Sequence, residues 1–198
     1  MLIPPSIKYS KRFVMMESLF HYSPKVEMLI NAIKFIKSNN IKGDYLEFGV
    51  GEGDTFIASY YLTLTYGLDG MKLYAFDSFE GLPLIKGIDK DGNFHQGQYK
   101  YDETNFRHKL LKNKVDMNKI IIHKGWFNDL HNLNLNPIPK ASIIWIDCDL
   151  YESTIPVLNF IKSSIQNGTI IVFDDWYFFK GEQNKGEQLA FSEWLDKE

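Results

Sequence analysis

The sequence predicts an α/β fold, a mostly parallel sheet with helices on both faces, on three observations. Short apolar runs of strand length alternate with longer stretches of helical period along the 198 residues. Ile120-Ile121-Ile122 and Ser142 to Ile146 are short and almost continuously apolar, as strands covered on both faces are. Glycine turns and acidic residues stand where strands give way to helices.

Taken in order, a first helix begins at Ser23-Pro24 and carries Val26, Leu29, Ile30, Ile33 and Ile36 at helical spacing to about Ser38, where Asn39 and Asn40 break it. Tyr45 to Phe48 is the first strand, and a glycine-rich turn leads into a helix through Phe56-Ile57-Ala58 towards Tyr66-Gly67. Met71 to Phe76 is the second strand. Asp77 to about Tyr101 then forms a polar loop of a length that usually serves function. A helix from about Asp102 to Leu111 precedes the strand Ile120 to Ile122, and Ser142 to Ile146 follows as another buried strand. The next helix runs from about Ser153 to Ser164, with Pro156 near its first turn, where a missing N–H is tolerated. The strand Thr169 to Phe173 and an amphipathic helix bearing Leu189, Phe191 and Trp194 complete the order. These elements form a single domain, 1–198, with an N-terminal helical segment, 1–40, and a core, 41–198.

Composition narrows the function. The chain is 44% hydrophobic and 24% charged, as a folded soluble domain is, and no stretch reaches membrane-spanning length. Its first residues lack an apolar run followed by a cleavage site, so a cytoplasmic location is expected. A formal charge of -3 with scattered lysines argues against nucleic acid as a partner. Cys148, the only cysteine, rules out an intrachain disulfide and a cysteine-based zinc cluster, and reads as a buried apolar side chain.

Three constellations carry chemistry. Glu47-Phe48-Gly49-Val50-Gly51-Glu52-Gly53 lies between a strand and a helix, where glycines let backbone approach a ligand. Its G-x-G-x-G spacing departs from the G-x-G-x-x-G of pyrophosphate sites and suits a cofactor without phosphates, S-adenosylmethionine (SAM) before NAD. Thr55, two residues into the next helix, belongs to the same pocket. Asp77 ends the second strand, where a carboxylate can accept hydrogen bonds from both ribose hydroxyls, and Ser78 follows it. Third, Asp147 and Asp149 at the end of one buried strand are joined by Asp174 and Asp175 at the end of the next. Four converging carboxylates call for a cation, and an all-oxygen set suits Mg2+ before Mn2+ or Ca2+. Such a cation would lower the pKa of an acceptor hydroxyl, with Asp147 or Asp149 as the base. The competing reading makes some of these aspartates helix caps, Asp149 or Ser153 for the helix that follows. The Lys124-Gly125-Trp126 turn offers an adenine-side contact, and Trp126 equally suits the core. His123 reads as a hydrogen-bonded structural histidine, and His21, His95, His108 and His131 show no metal-ligand spacing.

In these motifs the chain resembles the macrocin-type (TylF-like) O-methyltransferases, Rossmann-like class I SAM enzymes that methylate sugar hydroxyls. Tyr45 to Gly53 looks like the family's SAM loop, and Phe76-Asp77-Ser78-Phe79-Glu80-Gly81-Leu82-Pro83 like its segment after the second strand. Ile146 to Thr154 and Phe173-Asp174-Asp175-Trp176 look like its metal-site segments, and the likeness runs in order from about residue 24 to 194. The resemblance implies a SAM pocket lined by Glu47, Gly49 and Asp77 and a divalent cation, Mg2+ or another, on Asp147, Asp174 and Asp175. It also implies a sugar or glycoside acceptor, a mobile region at Gln96 to Lys100 and dimers formed through N-terminal segments. The family's sheet ends with two further strands, the sixth and seventh, that are missing before Glu198. A five-stranded sheet, or an edge covered by another subunit, is therefore expected.

The alternatives come from other classes. A strand-end Asp-x-Asp also holds metal on sugar diphosphates in glycosyltransferases, but the early glycine loop argues against that. A nicotinamide oxidoreductase would leave the carboxylates without purpose. A truncated SAM-fold interaction module without activity gains weight from the short C-terminus and loses it from the full set of motif aspartates.

Overall fold

The computed structural model describes residues 23–133 and 139–197. The expectations placed on residues 1–22, including His21, lie outside them. Among the described residues, five strands form one parallel sheet: β1 (Asp44–Phe48), β2 (Leu73–Asp77), β3 (Ile120–Lys124), β4 (Ala141–Ile146) and β5 (Ile170–Phe173). The order is β3-β2-β1-β4-β5, so the direction of winding reverses at β1. Among the described residues, five α-helices accompany them, α1 (Pro24–Ser38), α2 (Asp54–Thr65), α3 (Glu103–Lys112), α4 (Tyr151–Ile161) and α5 (Gly186–Leu195). No helix among the described residues is long and apolar enough to cross a membrane.

The runs of β1 and β4 are apolar almost throughout because these central strands are covered on both faces. Tyr45, Ile143 and Trp145 point into one core with Leu29, Ile33, Phe56, Phe106 and Leu110 of α1 to α3. Their neighbours Leu46, Ile144 and Ile146 point into the other, with Val157, Leu158, Ile161 and Ala190 of α4 and α5. Period two along a strand therefore sorts consecutive residues to opposite helical layers. Ile144 is wholly buried, and truncating it to alanine would cost about 2–5 kcal/mol.

Two sequence expectations shift. Helix α4 starts at Tyr151 instead of about Ser153, which places Pro156 inside it. Neither Asp149 nor Ser153 caps it: the N-cap position, Leu150, contributes no side-chain hydrogen bond. The carboxylate of Asp89 caps it from the distant loop, accepting from the backbone N–H groups of Tyr151 (2.9 Å) and Glu152 (3.0 Å). That loop, read as irregular, contains a 3-10 turn at Gly87–Asp91. It is further held by Phe94 stacked on Phe178, with ring centroids 4.7 Å apart. Within Gln96 to Lys100, Gly97 donates to the Leu82 carbonyl, Gln98 accepts from Leu82 N–H, and Lys100 pairs with Glu80.

Candidate functional site

Register places the site. Phe48 pairs with Phe76 on one side and Ile146 on the other, and Ile146 pairs with Phe173. The next residue of each strand path is then Asp77, Gly49, Asp147 and Asp174, a single row at the carboxyl edge. Backbone hydrogen bonds continue along it, from Gly49 to Phe76, Asp147 to Phe48 and Asp174 to Ile146, each 2.9 Å. The row crosses β1, the point where the strand order reverses and where open α/β sheets bind ligands.

Above this row lies a cleft of about 770 Å3, within the range of small-molecule sites. Glu47, Gly49, Gly51, Gly53, Thr55, Asp77, Ser78, Gly125, Trp126, Asp147, Asp149, Asp174 and Asp175 all line it. Gly49 has φ +86°, and a Cβ there would lie 1.9 Å from the Asp147 carbonyl oxygen, so only glycine lets the loop cross β4. Gly53, at φ +89°, is pressed on the Phe106 ring and precedes the first turn of α2.

Asp77 holds the loop in place. Its Oδ2 accepts from Val50 N–H (2.9 Å) and Gly51 N–H (3.2 Å), and its Oδ1 from Phe79 N–H (2.7 Å). Burial raises its pKa, and these three donors pull it back. The carboxylate expected to meet a ribose is thus also the staple between β2 and the glycine turn. Oδ1, with one bond to backbone, retains acceptor capacity towards the cleft. Ser78 makes a local turn, accepting from Glu80 N–H and donating to the Gly81 carbonyl. Glu47 forms the floor, fully buried and accepting from the Tyr45 hydroxyl, with its pKa raised by burial.

The carboxylates converge, but not all in one group. Asp147, Asp149 and Asp175 each offer an oxygen, and these atoms lie within 4.8 Å of one another. Asp174 instead faces Lys25 of α1, whose Nζ lies 2.6 Å from Asp174 Oδ2 and 3.2 Å from Asp147 Oδ2. Asp149 stands at φ +58°, a left-handed conformation that aspartate tolerates and that turns its side chain out of the strand path. Burial first, and then the neighbouring carboxylates, push Asp147 well above the usual carboxylate range, Asp149 to about 7 and Asp175 to about 6. Burial works against the Lys25 ammonium, but the charges of Asp147 and Asp174 outweigh it and raise its pKa. Asp175 Oδ2 is buried without a hydrogen-bond partner. An orphaned oxygen in an all-carboxylate group fits a hard divalent cation, for which oxygens are the preferred donors.

Sequence reasoning missed Lys25, Asp89 and Glu187. Lys25 is 122 residues from Asp147, and nothing in a helical pattern marks its partner. Glu187 of α5 is buried at 1% exposure and accepts from Asp175 N–H at 3.1 Å and from the Cys148 backbone. It thereby holds the turns after both β4 and β5. Tyr101, read only as the end of the loop, lines the cleft beside Gly51. Cys148 is buried as expected, its thiol pKa pushed up by burial. Trp126 is 39% exposed on the cleft wall and not a core residue. His123 corrects the expectation of a hydrogen-bonded histidine: its ring stacks on Phe76 at 5.0 Å, Nε2 has no partner, and burial lowers its pKa.

Comparison with known proteins is consistent with this geometry. The chain is similar to the 8-demethyl-8-(2,3-dimethoxy-alpha-L-rhamnosyl)-tetracenomycin-C 4'-O-methyltransferase of Streptomyces olivaceus, 25% identical over 163 residues, 77% of this chain and 60% of that protein. It is also 25% identical over 165 residues to the mycinamicin III 3''-O-methyltransferase of Micromonospora griseorubida, covering 77% of this chain and 62% of that one. The chain thus spans about 60% of the length of the curated relatives it matches. The calicheamicin methyltransferase CalS11 superposes with a TM-score of 0.77 at 20% identity, over 98% of this chain and 86% of that one, which shows the same class I methyltransferase fold. The model of the macrocin-O-methyltransferase (TylF) family matches residues 23–189, and the chain belongs to that family.

Proposed function

We propose that this chain forms the core of a SAM-dependent O-methyltransferase that acts on a hydroxyl of a sugar or glycoside with the help of a divalent cation. The observation that carries the proposal is the meeting of two features on one strand edge. The glycine turn crosses β4 at Gly49, and Asp147, Asp149 and Asp175 gather immediately beside it. Membership of the family supports methyl transfer, and the relatives named for sugar positions support the acceptor class.

SAM, when bound, supplies a methyl group on a sulfonium, and a divalent cation supplies Lewis acidity towards an acceptor hydroxyl. The chain does the rest. Gly49 to Gly53 would give SAM a close backbone approach, Asp77 would accept from a ribose hydroxyl, and Trp126 would offer an aromatic face to adenine. Asp147 and Asp175, common to the expected and the observed groupings, would hold the cation with Asp149 or Asp174. Asp147 and Asp149, both lining the cleft, are the two candidate bases that would take the hydroxyl proton. Because displacement at the methyl needs only alignment and proton removal, no covalent intermediate with the protein is involved.

The test is transfer of labelled methyl from SAM to a panel of deoxysugar glycosides, with Mg2+ and with a chelator. Transfer that the chelator abolishes is expected. Failure with every glycoside, together with failure to bind SAM, would contradict the proposal.

A further inference from the structure

We propose that Lys25 is the built-in counter-ion of the carboxylate cluster and competes with a divalent cation for Asp147 and Asp174, so that the ammonium leaves them when the cation enters. This rests on the cation reading above. Lys25 lies in the first turn of α1, and its Nζ bridges Oδ2 of Asp147 and Oδ2 of Asp174, the residues ending β4 and β5. Without it, two half-buried carboxylates on adjacent strands would face each other with no positive charge between them. One ammonium cannot neutralise the whole group, because Asp149 and Asp175 also converge on Asp147 and Asp175 Oδ2 is left without a hydrogen-bond partner among the described residues. The cluster therefore keeps net negative charge and still attracts a dication, but more weakly than the same carboxylates would alone.

The way out for the ammonium is open. The Lys25 side chain is 43% exposed, and a lysine ammonium on its flexible stem regains its hydration once it swings outward. Because this lysine belongs to α1, its departure also removes the tie between the first turn of that helix and the ends of β4 and β5. Cation occupancy and this tie of α1 are thereby coupled through one side chain.

The experiment is titration of the whole protein with Mn2+, reading the free ion by electron paramagnetic resonance, for wild type, Lys25→Met and Lys25→Gln. Either variant should bind Mn2+ about tenfold more tightly than wild type, a shift of the size expected for removing one competing charge near a dication. Metal-free Lys25→Met should melt below wild type and gain more from added Mn2+. Lys25→Gln keeps a hydrogen-bond donor without the charge and guards against a folding failure of the methionine variant. Folded variants that bind Mn2+ no more tightly than a wild type that does bind it would overturn the Lys25 proposal alone. No Mn2+ binding by wild type or variants would overturn the cation reading, and the proposal with it.

Discussion

Asp89 accepts hydrogen bonds from the backbone of Tyr151, at 2.9 Å, and of its neighbour Glu152, tying the long loop after β2 to the first turn of the helix that follows the carboxylates. The carboxyl is wholly buried and serves as the cap that α4 does not provide for itself. Asp89→Ala should therefore cost about 1–2 kcal/mol, as lost caps do. Chemical denaturation would show it as a lower midpoint at unchanged slope.

This contact also marks where sequence reading stops. The strands were legible because runs such as Ser142 to Ile146 must be apolar on both faces, and α1 because its buried positions recur at helical spacing. Gly49 and the strand-end aspartates were legible because their places follow from parallel register. The loop from Ser78 to Asp102 was not, since its order comes from single contacts across the fold, Asp89 with α4 and Phe94 with Phe178. Lys25 and Glu187 escaped for the same reason: a charged residue in an amphipathic helix reads as solvated surface until the fold brings it a partner, Asp147 at 122 residues for Lys25 and Asp175 at 12 for Glu187.

Gly49 leaves no room for a side chain. With φ +86° and a carbonyl 1.9 Å from any Cβ, Gly49→Ala combines backbone strain with a clash. A loss of at least about 3 kcal/mol is expected, or a displaced loop that no longer binds SAM. Thermal melting and SAM titration of the variant check the two outcomes together.

Glu187 is buried, with its pKa raised well above the usual range first by burial and then by the charge of Asp175. Glutamine keeps an acceptor oxygen for the Asp175 N–H and alanine does not. Glu187→Gln should melt close to wild type, whereas Glu187→Ala should lose about 1–3 kcal/mol by stranding the Asp175 backbone N–H. Equal melting temperatures for the two variants would show that the carboxyl positions nothing.

The raised carboxylates set the pH dependence of stability. Asp149 titrates at about 7 and Asp175 at about 6, against 3.8 for the free side chain. Between about pH 4 and 7 the folded state then binds more protons than the unfolded, and stability is lost as pH rises through that window. The metal-free protein should melt lower at pH 7.5 than at pH 5.5. Millimolar Mg2+ should recover the difference at pH 7.5 by binding the ionised cluster, and do little at pH 5.5, where protons occupy it. Differential scanning calorimetry at the two pH values, with and without Mg2+, reads all four terms.

The central claim is that the cleft above Gly49, Asp77 and Trp126 is a SAM site, and calorimetric titration of the protein with SAM tests it most directly. The account predicts saturable binding of one SAM per chain, weakened by Trp126→Ala in proportion to a lost stacking contact of about 1 kcal/mol, roughly fivefold. An intact fold that takes up no SAM would contradict it.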